Sequence, residues 1–316
     1  MNYELPYKGS KNRLAENILA LFPKRKNLYD LFSGGGAITH CALLKNQFDH
    51  VVMNDINPAM TTLFIDAAQG KYKNESRWIS RKQFEEEKLT DPYIACVWSF
   101  GNNLRSYLYS YDREEIKHSI HNAIFFDDYE SIKKYWDIDI SIIKNDKDYH
   151  QKYLHLKQIL SDAQLENFER LQGLETLQRL QSLERLERLK QLERLERLER
   201  LEILSTSFDN VNIEPDSIIY CDIPYENTDG YSDSADNFGF NYDMFYDWAE
   251  RQTEPVFISS YKMPEDRFEC IARYEHRSTL CATANNAVIE KVFIPKTQTK
   301  LYKAEMPQPS LFEDFM

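Results

Sequence analysis

The sequence predicts an α/β fold: a parallel sheet begun near the N-terminus, interrupted by a long insertion and completed after it. Three observations carry this. Between residues 27 and 55 an apolar run, a glycine turn, a helical stretch, a second apolar run and an acid follow in order, the grammar of strand–turn–helix units in a Rossmann-like sheet. The stretch 75–150 loses that alternation. From residue 217 onwards it returns.

Taken in order, a helix is expected from Lys11 to about Phe22, stopped by Pro23. Asn27–Phe32 reads as a strand, Ser33-Gly34-Gly35-Gly36 as a turn, and Ala37 to about Gln47 as a helix. His50–Asn54 reads as the next strand, and Pro58 suits the first turn of the helix that follows. The stretch 75–150 is rich in Tyr, Trp, Asp and Lys, with short helical pieces at 81–89 and 127–136. Ser217–Cys221, Pro255–Ser260 and Ala287–Ile294 are strand-like, and Tyr242–Arg251 is helical. The expected organisation is a discontinuous domain of residues 1–74 and 206–316, an inserted module at 75–150 and a helical arm at 151–205.

The arm carries a Leu-Glu-Arg repeat with an apolar residue at every third position from Leu165 to Leu204. Leu, Glu, Arg, Lys and Gln all favour helix, and Glu184 with Arg188 is one of several i, i+4 pairs in the favoured order. A strict period of three is not a coiled-coil seam. Each repeat falls about 60° short of a full turn, so the leucines wind around the helix and no single partner helix can cover them. The expectation is a long helical linker or arm, with self-association as the sharper alternative.

Composition narrows the class less than the motifs do. The 316 residues carry a net charge of −12, which speaks against a nucleic-acid partner only weakly, because phosphate binding depends on local patches. No apolar run is long enough for a membrane span, and the N-terminus lacks a signal-peptide core. Five scattered cysteines form no CxxC pair, so neither a zinc site nor a disulfide framework is expected, and the chain reads as cytoplasmic.

Three sites carry chemistry. In Asp30-Leu31-Phe32-Ser33-Gly34-Gly35-Gly36 the glycines let backbone approach a ligand, and the next helix offers free N–H groups. The spacing is not that of a dinucleotide fingerprint, so a cofactor without pyrophosphate fits better. Asp55, before Ile56-Asn57-Pro58, can accept ribose hydroxyls or can start a helix. Most specific is Asp222-Ile223-Pro224-Tyr225 after a buried strand, because an acid there is costly unless paired or useful. A poorly nucleophilic adenine amino group would be activated by hydrogen bonds to the Asp222 carboxylate and the Ile223 carbonyl, with the Tyr225 ring stacking on a flipped base.

With these residues in place, the chain resembles the Dam-type (D12 class) adenine-N6 DNA methyltransferases. The resemblance lies in Tyr7-Lys8-Gly9-Ser10-Lys11, Phe32-Ser33-Gly34-Gly35-Gly36, Asp55-Ile56-Asn57 and Asp222-Ile223-Pro224-Tyr225, in the family's order, over about 1–74 and 206–296. It implies a Rossmann-like methyltransferase domain using S-adenosyl-L-methionine, no metal, double-stranded DNA as substrate, and residues 75–150 as the target-recognition module. Tyr7, Lys11, Asp30, Phe32, Gly34, Gly36, Asp55, Ile56 and Asp222 would line the cofactor site; Asp222, Pro224 and Tyr225 would form the catalytic loop. Asn102 and Asn103 could pair with adenine edges, but a turn is the expected role of the two. Ile223 stands where the family has its first proline of Asp-Pro-Pro-Tyr, a role carried by a main-chain carbonyl that isoleucine keeps. The alternatives are RNA or a protein glutamine amide as substrate, or a non-catalytic DNA-binding scaffold. The tail segment Gln308-Pro309-Ser310-Leu311-Phe312 resembles the peptide that docks on the replication sliding clamp, with packing of its apolar residues back onto the domain as the plainer alternative.

Overall fold

A computed structural model describes residues 5–7, 9, 11–133, 135, 139–166, 180–193, 195, 198–224, 239–277 and 287–305. Tyr225 and the tail segment Gln308–Phe312 lie outside them. Two compact units result: residues 1–5, 9–68 and 194–316 form the first, residues 6–8 and 69–193 the second. Among the described residues no helix is long and apolar enough to cross a membrane.

The first unit is built on a seven-stranded sheet: β1 Asn27–Asp30, β2 His50–Asn54, β3 Leu201–Leu204, β4 Ser217–Asp222, β5 Val256–Ser260, β6 Phe268–Arg277 and β7 Ala287–Pro295. Their spatial order is β3-β2-β1-β4-β5-β7-β6. β3, β2, β1, β4 and β5 pair with one another in parallel, and β7 is antiparallel to both strands beside it, β5 and β6. This mixed α/β sheet is consistent with a Rossmann-like methyltransferase.

Strands covered on both faces read as continuous apolar runs. In β4, Ile218 and Tyr220 join Leu28, Val51 and Phe257 under Ile18 and Leu19 of helix α1 (Ala15–Leu19) and Ile38 and Cys41 of α2 (Ala37–Lys45). Ile219 and Cys221 point the other way, with Tyr29, Val52 and Ile258, against Phe245 and Trp248 of the helix Tyr242–Arg251. β1 and β4 are adjacent although 190 positions of sequence part their first residues. At such a switch point a crevice opens beyond the carboxyl ends of the strands.

The repeat departs from the expected long arm at its C-terminal end. Leu201–Leu204 is strand β3, pairing with β2 in parallel, Val51 to Leu201 through Asn54 to Leu204. Leu-Glu-Ile-Leu continues the leucine spacing, but β2 offers it an unpaired edge, and tertiary pairing overrides local propensity.

In the second unit the repeat forms the helix Gln181–Leu192, whose Leu183, Leu186, Leu189 and Leu192 are all buried. No residue of that helix is fully exposed. A leucine stripe that winds around the helix is covered because several elements wall it in. Its polar groups are engaged as well: Arg185 Nη1 donates to the carbonyls of Val97 and Ser99 at 2.7 and 2.6 Å, Ser182 Oγ lies 3.0 Å from the Tyr109 hydroxyl, and Lys190 sits over the Tyr149 ring.

Leu189→Ala should therefore destabilise the protein by about 2–5 kcal/mol. Leu154→Ala, at a half-exposed position of Tyr149–Glu166, should cost less than about 0.5 kcal/mol. Urea unfolding checks both, and equal midpoints would show that the repeat helix is not part of the core.

Candidate active site at the carboxyl ends of β1, β2 and β4

Three carboxylates stand at the ends of three neighbouring parallel strands: Asp30 on β1, Asp55 directly after β2, and Asp222 on β4. Each is held by a different device.

Asp30 caps a helix from outside it. Its Oδ2 accepts from the N–H and the hydroxyl of Thr39, at 3.2 and 2.8 Å, in the first turn of α2, where unpaired N–H groups and the helix dipole favour an anion. Oδ1 is buried and has no hydrogen-bond partner among the described residues. Burial pushes the Asp30 carboxyl up to about 7, against the pull of the Thr39 bonds, with Asp222 and Asp55 repelling in the same direction as burial.

Asp55 fastens the glycine turn. Its Oδ2 accepts from Gly34 N–H and its Oδ1 from Asn57 N–H, both at 2.8 Å, while the Asn57 side chain caps the next helix, α3 (Pro58–Ala68), through Ala59 N–H at 3.0 Å. Burial raises the Asp55 carboxyl, and these two backbone bonds oppose it. Gly34 and Gly36 both have positive φ, 49° and 78°. At Gly36 a Cβ would also lie 2.7 Å from the Phe64 ring, so this position requires glycine twice over.

Asp222 is paired with a cation. Lys11 Nζ lies 2.8 Å from Asp222 Oδ2 and 3.8 Å from Glu290 Oε1; the side chains of Lys11, Asp222 and Glu290 are 7%, 20% and 3% exposed. Burial alone would lower the Lys11 ammonium, but Asp222 and Glu290 outweigh it and the group is raised. Ile223 is buried, and Pro224 offers its carbonyl to the Tyr242 hydroxyl at 3.1 Å.

The structure thus brings Lys11, Asp30, Gly34, Gly36, Asp55 and Asp222 to one edge of the sheet. Ile56 follows Asp55 with an apolar side chain 61% exposed. Phe32 packs among Phe208, Phe240 and Phe245, with ring centroids 5.4–5.8 Å away. Tyr7 belongs to the second unit, where Pro6 beside it accepts from the Cys96 thiol. In that unit Asn103 Oδ1 accepts from the N–H groups of Arg105 and Ser106, the work of a turn residue.

Sequence reasoning missed three contributors. Asn54, buried at the end of β2, donates to the carbonyls of Leu31 and Thr206 and accepts from Thr206 N–H, tying β2 to the ends of β1 and β3. Tyr242 supports the loop after β4. Glu290 stood in plain view as the one acid on the alternating face of Glu290, Val292 and Ile294, all buried; the period-two pattern was its signal.

The donor set suits a cofactor that is cationic at one end and a nucleoside at the other. Acidic groups line the strand ends, the buried Asp30 Oδ1 has no hydrogen-bond partner among the described residues, and Ile56 presents an exposed apolar face. The mostly parallel sheet that carries this site is consistent with a Rossmann-like methyltransferase. The family model of D12 class N6 adenine-specific DNA methyltransferases matches residues 7–263, and the chain belongs to that family. It is an enzyme of adenine-N6 DNA methylation, with S-adenosyl-L-methionine as the methyl donor and DNA as the substrate that the family implies. Comparison with curated proteins finds no match.

Because Asp30 binds its proton more tightly folded than unfolded, its contribution to stability is full below about pH 3.8 and is lost as pH rises to about 7. Asp30→Asn removes that loss. The stability of the Asn variant relative to wild type should rise by up to ~4 kcal/mol between pH 4 and 7, read by denaturant unfolding at each pH. A pH-independent difference would show that the Asp30 carboxyl is not raised.

Proposed function

We propose that the carboxyl ends of β2, β1 and β4 hold S-adenosyl-L-methionine and that the loop after β4 activates the adenine amino group. The observation that carries this is the Lys11–Asp222 ion pair at 2.8 Å, which sets a cation beside a largely buried carboxylate at the switch point of the sheet.

Asp55 and Ile56 would meet the nucleoside of the cofactor, the carboxylate facing ribose hydroxyls and the apolar side chain facing the base. Gly34 and Gly36 keep the turn close and free of side chains. Asp30 would take up a positive group through Oδ1, which has no hydrogen-bond partner among the described residues, and Phe32 braces the turn from its aromatic cluster. Tyr7 joins this site by resemblance.

When bound, the cofactor supplies an electrophilic methyl group. The remaining roles fall to the chain. Asp222 accepts one N6–H hydrogen bond and the Ile223 main-chain carbonyl the other, which draws the nitrogen away from planarity and exposes its lone pair. Asp222 is also the group within reach of the proton that N6 releases on methylation. Pro224 restricts the backbone before it, and the Tyr242 hydroxyl fixes the Pro224 carbonyl. Tyr225 would stack on an adenine turned out of duplex DNA.

The second unit, with residues 75–150, is the proposed reader of DNA sequence. Its exposed Phe100 and Tyr111, with Arg81 3.8 Å above the Tyr111 ring, are of the kind that stack on bases. Docking of Gln308–Phe312 on a sliding clamp and self-association through the repeat are separate proposals, the first tested by pull-down with a tail deletion and the second by sedimentation.

Methyl transfer from labelled S-adenosyl-L-methionine to unmethylated duplex DNA, with product nucleosides separated, tests the assignment of Asp222. Wild type should give N6-methyladenine, and Asp222→Ala should lower the rate by about 10²–10³-fold or more. An Asp222→Ala enzyme of near wild-type rate would place the chemistry elsewhere.

A further inference from the structure

The catalytic reading leaves one buried acid unused. Glu290 is 3% exposed, and burial of an ionised carboxylate is costly unless a partner offsets it. Glu290 lies on β7, outside the part of the chain that the family model matches.

Topology explains how it arrives. β4 pairs with β5 through Asp222 and Ser259, and β5 pairs with β7 through Ser260 and Lys291. Because β7 is the reversed strand, its beginning, not its end, reaches the edge where β4 and β5 finish. Asp222, Tyr261 and Glu290 therefore stand on three adjacent strands or their direct continuations, and Lys11 crosses to them from the segment before α1.

We propose that Glu290 is a positioning residue for methyl transfer, holding the Lys11 ammonium against Asp222 at the end of β4. The proposal rests on Asp222 being the amino-group acceptor. A lysine ammonium is a compact charge on a flexible stem. With a single counter-ion it could swing, and in a buried site it would tend to lose its proton. Held between Asp222 Oδ2 at 2.8 Å and Glu290 Oε1 at 3.8 Å, with the Gly9 carbonyl at 3.4 Å, it is fixed in place. The charged and titratable groups that face it are Asp222, Glu290 and the Tyr261 hydroxyl, with Tyr220 and Asp30 next to Asp222. Asp222 and Glu290 are the causes that raise Lys11, so removal of the Glu290 charge would let burial act on the ammonium less opposed.

The test is the pH profile of kcat for methyl transfer to duplex DNA by the full chain, from about pH 7 to about pH 11, so that the start of the wild-type alkaline limb is included, for wild type, Glu290→Gln and Glu290→Asp, with Asp222→Ala alongside. In Glu290→Gln the alkaline limb should move down by about one pH unit or more, with kcat falling and the KM for DNA unchanged. Glu290→Asp, which keeps the charge at shorter reach, should move the limb less. If the Gln variant does not fold, the Asp variant carries the comparison: a small downward move supports the role, and an unmoved limb overturns it. Limbs identical to wild type in both variants, or activity lost only in step with folded protein, would reduce Glu290 to a structural residue while Asp222→Ala remained inactive. Transfer retained by Asp222→Ala would overturn the catalytic reading and this proposal together.

Discussion

Three acids on adjacent strand ends repel one another, and the architecture of the first unit is arranged around keeping them there. Asp30 leans on the N-terminus of α2, Asp55 on two backbone N–H groups, and Asp222 on Lys11. The three devices differ in consequence. A helix terminus and backbone amides are fixed partial charges that hold an acid in place. A lysine is a full charge that can be raised or lost with pH. Among the described residues, the acid of the three that is joined to a formal cation is the one proposed to touch the reacting nitrogen.

Parallel pairing makes this convergence possible. Every parallel strand delivers its carboxyl end to one edge, so residues distant in sequence meet without any local motif. The reversed strand β7 then delivers its amino end to that same edge, which is how Glu290 comes behind Lys11. Asn54 and Tyr242 act one layer further out, holding strand ends and loop in register through main-chain groups.

Much of this was legible in the sequence. The apolar runs of β1, β2, β4 and β5 and the glycine turn carry their own local signals, and Lys11, Asp55 and Asp222 sit at the ends of recognisable elements. What stayed hidden depends on partners far along the chain. β3 continues the leucine spacing of a helical repeat, and only the open edge of β2 makes it a strand. The winding leucine stripe left open what would cover it; in Gln181–Leu192 the leucines are buried while the charged residues between them stay part-exposed, and that cover is a property of the second unit. Glu290 was visible as an acid in an apolar face, but its partner lies 279 residues away on the segment before α1.

The most direct test of the site is a crystal structure of the protein grown with S-adenosyl-L-methionine. Cofactor density along the ends of β2, β1 and β4, with the ribose at Asp55 and the methyl group turned towards Asp222, is the predicted result. Density at the opposite edge of the sheet, or in the second unit, would contradict the assignment of this edge as the methyl-transfer site.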